Sequence, residues 1–122
     1  MRQHSVATLA GAPLDYWVAC AVGKRRPVIV EEKGASPECL VEVDGTQFEP
    51  FSPLFDVTLA EALLSASTVR VLRICTPDGP AWAAFTSSGI RFISASWHVA
   101  GLRALVAGRF GHFVFDDVEE SS

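Results

Sequence analysis

The sequence predicts an α+β domain in which an antiparallel sheet, a central three-stranded meander plus a hairpin, packs against about three helices. Three observations carry this expectation. The chain has 122 residues, 49% of them apolar and 20% charged, which suits one core and leaves no room for two. Helical periodicity recurs in three separated segments. Between them lie short β-branched runs joined by turn dipeptides, the pattern of hairpins. Residues 1–115 are expected to form this single domain, and 116–122 an acidic, flexible tail.

The first helix is expected over residues 13–23. Pro13 suits an early helical position, and Asp15 places a negative charge in the first turn. Leu14, Trp17, Val18, Ala21 and Val22 recur at three- and four-residue spacing, and Gly23 is a natural terminator. Val28-Ile29-Val30 reads as a strand. Cys39 to Val43 and Thr46 to Phe48 flank Asp44-Gly45, a strong two-residue hairpin signal, with Glu38, Glu42 and Asp44 forming an acidic outer face. Thr58-Leu59-Ala60-Glu61 matches a capping box, so a second helix starts there and ends near Ser67. Val69–Cys75, Ala81–Thr86 and Ile90–Ala95, separated by Asp78-Gly79-Pro80 and Ser87-Ser88-Gly89, form the meander. Ser96 caps a third helix from Trp97 to Phe110, with Val99, Leu102, Leu105 and Val106 inward and Gly111 at its end. His112–Phe115 adds a short strand.

Composition narrows the functional classes. A net charge of −4 argues against non-specific binding along a phosphate backbone, which needs a cationic footprint. Mean hydropathy is +0.28, so either the interior is unusually well filled or a partner covers some apolar surface. Cys20, Cys39 and Cys75 are odd in number and widely spaced, the pattern of free, buried thiols in a reducing compartment. No run is long enough to span a bilayer, and Val6 to Ala10 is too short for a secretory leader, so a cytoplasmic location is expected.

Catalytic patterns are hard to find. No G-x-S-x-G elbow and no phosphate-binding glycine loop occurs. Gly101 and Gly108 lie one heptad apart within the third helix and are expected to permit close packing against a neighbour. His98 and His112 flank that helix at opposite ends, which does not suit a shared metal. Glu31-Glu32, Asp116-Asp117 and Glu119-Glu120 are adjacent pairs, whose side chains point apart in a strand. No catalytic residue, metal site or cofactor is expected.

Two surfaces stand out as candidates for binding. Phe48, Phe51 and Phe55, interleaved with Pro50 and Pro53, form a loop too apolar to lie wholly in water. Either it is a lid over the core or it presents aromatic anchors to a partner. Lys24-Arg25-Arg26 is the one basic run; it either offsets the negative end of the first helix or offers a local patch for an anion.

Three segments resemble the NinX-like proteins of phages and prophages. They are Thr8 to Ala19, Phe51-Ser52-Pro53-Leu54-Phe55-Asp56, and Leu102 to Gly111 followed by Val114. The chain departs from that pattern at Val57, where the family carries a tryptophan, and in its longer central meander. The resemblance implies phage ancestry and brings no established activity; its matched residues are Ser52, Pro53, Asp56 and Arg103.

The expected function is that of a non-enzymatic accessory module that binds a protein partner through Phe51, Ser52, Pro53, Phe55, Asp56 and Arg103. The second reading is a small-ligand or nucleic-acid module using Lys24, Arg25 and Arg26, with nucleic acid the disfavoured partner.

Overall fold

The computed structural model describes residues 2–116 and is an α+β domain of three helices and three small antiparallel sheets. Its strands are β1 (Arg2–Ser5), β2 (Val28–Val30), β3 (Glu38–Asp44), β4 (Gln47–Pro50), β5 (Arg70–Thr76), β6 (Gly79–Phe85), β7 (Arg91–Ser94) and β8 (Phe113–Asp116). The helices are α1 (Gly11–Ala21), α2 (Val57–Ser65) and α3 (Trp97–Phe110), and a 3-10 turn at Val6–Thr8 joins β1 to α1. The expected meander is β5-β6-β7, and β2 joins the expected hairpin to give β2-β3-β4. β1 was not foreseen; it pairs with β8, from Arg2 opposite Asp116 to Ser5 opposite Phe113. Apart from Asp116 in β8, the acidic tail lies outside the described residues.

α3 is the hub. It packs on all three strands of the meander and also on α1 and α2, while α1 packs in turn on β3. Leu102, Val106, Ala100 and Ala104 of α3 are fully buried, as are Leu14 and Val18 of α1. Truncating Leu14 or Leu102 to Ala typically costs about 2–5 kcal/mol.

α1 begins two residues earlier than periodicity suggests and also ends earlier. Gly23 adopts a φ of +79°, and the Lys24 N–H donates to the Ala19 carbonyl at 2.9 Å, so the helix closes in a Schellman-type cap. With the start at Gly11, Asp15 falls beyond the first turn and is buried. α2 is capped by Asp56, whose carboxylate accepts from the Leu59 N–H at 3.1 Å; Thr58 lies inside the helix. Ser96 holds the cap position of α3, but its hydroxyl bonds His98 Nδ1 at 2.9 Å and not a helix N–H.

The two interior glycines of α3 differ. A Cβ on Gly101 would sit 2.6 Å from Leu64 Cδ1 and 3.4 Å from Val71 Cγ2, so this glycine lets α2 and β5 approach the helix. Gly108 has no such neighbour: Thr86 Cγ2, at 3.9 Å, is in ordinary contact range. The same substitution should therefore have opposite signs. Gly108→Ala is expected to raise stability by about 0.5–1 kcal/mol through helix propensity. Gly101→Ala is expected to lower it by about 1–2 kcal/mol, because overpacking outweighs that gain. Thermal melts of the two variants check the pair.

Candidate functional site

The loop after β4 divides into a buried half and an exposed half. Phe51 is 4% exposed, its N–H donates to the Cys39 carbonyl at 2.9 Å, and the Lys24 ammonium lies 5.7 Å from its ring centroid. Pro53 is fully buried. The Leu54 N–H donates to Asp15 Oδ1 at 3.0 Å, which ties the loop to α1. Ser52 closes the turn, its carbonyl accepting from the N–H groups of Phe55 and Asp56 at 3.0 and 2.8 Å. Phe55 projects, at 79% exposure. Of the six candidate residues, Phe51 and Pro53 thus lie in the interior, and Asp56 serves α2. Arg103 is also engaged, its Nε donating to the Leu9 carbonyl at 2.9 Å while burial lowers its pKa.

Beneath this loop the polar groups are muted. Burial pushes the Asp15 carboxyl up to about 6, opposed in part by the Leu54 hydrogen bond. Cys39 is pushed up to about 12, first by burial, then by the negative charge of Asp15 and by Cys20. Burial also raises Cys20, against a hydrogen bond with Tyr16. These shifts run opposite to those of an activated thiol nucleophile. The Ser96–His98 pair is within hydrogen-bond reach, but the His98 ring leans on Trp97 and, among the described residues, no carboxylate orients its other nitrogen. No group of three or more His, Cys, Asp or Glu side chains among the described residues could hold a metal ion.

The basic run is largely neutralised. Glu42 was expected on an acidic outer face, but its side chain is only 3% exposed. Arg25 Nη2 and Arg26 Nη1 reach its two oxygens at 3.3 and 3.0 Å, and the Glu42 N–H donates to the Arg25 carbonyl. The segment after α1 therefore folds across β3 and shields the carboxylate. Lys24, over Phe51, is the remaining cation of the three.

A third surface was not foreseen. In the meander, Val71, Ala84 and Phe92 face the core, which places Leu72, Ala83 and Ile93 on the opposite face in register. α3 covers the first face; among the described elements none packs closely on the second. Leu72 and Ile93 are 43% and 45% exposed, with Ala83 shielded between them. The neighbouring cross-strand row is Arg70, Phe85 and Arg91, both arginines exposed and neither in an ion pair among the described residues. The sequence held a trace of this arrangement, since both alternating sets of β5 carry apolar residues, the habit of a strand covered on two sides. Here only one side is covered.

No family model matches the chain, and no curated protein matches it.

Among the described residues, no helix is long and apolar enough to cross a membrane.

Proposed function

We propose that this chain is a non-enzymatic interaction module of prophage ancestry, and that it docks an acidic, apolar segment of a partner protein on the outer face of β5-β6-β7. The single observation that carries the reading is the uncovered Leu72–Ala83–Ile93 row beside two arginines that meet no carboxylate among the described residues. Apolar side chains of a partner would fill the row, and its carboxylates would meet Arg70 and Arg91 in charge-assisted hydrogen bonds. Phe85, between the arginines, offers an aromatic anchor. The likeness to NinX-like proteins supports the ancestry. Compared with the sequence-based expectation, the docking surface moves from the aromatic loop to the sheet face, because the loop spends Phe51 and Pro53 on its own core.

Titrating the isotopically labelled chain with a peptide alternating Glu and Leu should move the amide signals of Leu72, Ala83 and Ile93. Arg70→Ser with Arg91→Ser should weaken binding roughly tenfold, the scale of one or two charge-assisted contacts. Equal response to a Lys-Leu peptide would refute the charge pattern. A single-stranded oligonucleotide moving the same signals, with strong salt dependence, would replace this reading with nucleic-acid binding.

A further inference from the structure

A cleft of about 420 Å³ opens where the ends of α1 and α2 meet α3 and the chain leaving β6. That volume lies within the range of small-molecule sites. Val22, Leu63, Val69 and Leu105 give it apolar walls, and Gly108 and Arg109 line the α3 side. Two of its three hydroxyls, those of Ser67 and Thr86, are engaged, while that of Thr68 makes no hydrogen bond among the described residues. Ser67 Oγ donates to the Leu64 carbonyl at 2.7 Å and accepts from the Val69 N–H at 3.1 Å. Thr86 Oγ1 accepts from the Ile90 N–H at 2.9 Å and bonds Ser88, so its methyl is the group near Gly108. Arg109 is the one charged side chain of the lining; it is exposed, its guanidinium lies 5.7 Å from the Phe110 ring centroid, and it makes no ion pair among the described residues.

Gly108 is the telling residue. An interior helix glycine costs about 1 kcal/mol relative to Ala. Packing explains that cost at Gly101, but at Gly108 a Cβ would meet only the Thr86 methyl at contact distance. Gly108 lines the cleft, so close packing does not account for the glycine there.

We propose that this cleft binds a small amphiphile with a single anionic end. The apolar body would lie against Val22, Leu63, Val69 and Leu105, over the bare Gly108 backbone, and the anion would pair with Arg109. With Ser67 and Thr86 engaged, only the Thr68 hydroxyl is left to meet a polyhydroxylated ligand. This site is separate from the meander's outer face, so the two proposals stand or fall independently.

Octanoate and 1-octanol, titrated into the isotopically labelled chain, test the inference. Octanoate should move the amides of Val22, Val69, Gly108 and Arg109. 1-Octanol should move the same signals with about two- to fivefold weaker affinity, the range of an exposed ion pair. Arg109→Gln should erase that difference. Gly108→Leu should abolish both responses in a chain that retains its helical circular dichroism; should it fail to fold, Gly108→Ala should still weaken octanoate. Octanoate leaving these amides unmoved, binding no better than the alcohol, or tolerating Gly108→Leu would overturn the proposal.

Discussion

Replacing Arg25 and Arg26 together by Gln is expected to cost about 2–4 kcal/mol of stability, clearly more than Glu42→Gln alone. The asymmetry follows from where the charges sit. The Glu42 side chain is 3% exposed, whereas those of Arg25 and Arg26 are 76% and 70% exposed. Removing the carboxylate returns two guanidinium groups to water at little cost. Removing the guanidinium groups strands a carboxylate that has lost its counter-charges and remains out of solvent. Arg26 also holds a left-handed φ of +46°, a strain that Gln shares, so the comparison isolates charge from backbone. Urea unfolding of the double variant, of Glu42→Gln and of the triple variant closes the cycle. The triple variant should recover most of the loss. A double variant within about 0.5 kcal/mol of wild type would mean that the carboxylate is solvated.

The second large effect concerns pH. Asp15 is 3% exposed and titrates at about 6 in the folded chain, against an ordinary value of 3.8, chiefly because burial disfavours its charge. Between those two values the native chain holds a proton that the unfolded chain has released. Stability from this group therefore rises as pH falls through about 6 and levels off below about 4, the reverse of a salt-bridged carboxylate. The span is on the order of 2–3 kcal/mol. Asp15→Asn keeps an acceptor for the Leu54 N–H and removes the titration. The variant should match or exceed wild-type stability at pH 7, and the gap should close toward pH 4. Unfolding curves for both chains over that range provide the check; a constant gap would show that Asp15 reaches water.

The parts of the fold written in local sequence were legible. The hairpin was legible, although its two-residue turn is Gly45-Thr46 and Asp44 pairs with Gln47 in the ladder; Gly23 and Gly111 ended their helices, and alternating apolar residues marked the meander. β1 escaped notice because Arg2-Gln3-His4-Ser5 has no apolar alternation, and its partner strand lies at the far end of the described chain. The burial of Glu42 depends on two side chains sixteen and seventeen positions earlier, a relation that no local pattern records. For the aromatic loop, sequence left a lid and a contact surface as alternatives. Phe51 and Pro53 take the first role, while Phe55 remains in solvent. The sheet face and the cleft were hidden for another reason: both are made of ordinary core-type residues that tertiary packing happens to leave uncovered. Gly101 and Gly108 look alike in sequence, and only their neighbours tell them apart.

The pairing of β1 with β8 bears on how the molecule assembles. Its register couples Arg2 with Asp116, and the Val6 N–H donates to the His112 carbonyl, so the ribbon closes a loop that contains every other described element. The chain entropy of that closure exceeds that of the neighbouring hairpins, whose strands meet across a few residues, by about 3 kcal/mol. Contacts of such long sequence separation slow folding. During synthesis β1 cannot make its ladder until β8 has been made, since the two strands stand at opposite ends of the described residues. Among the described strands, the β1–β8 ribbon is therefore the pairing of greatest sequence separation, while α3 and the meander it covers are neighbours in sequence.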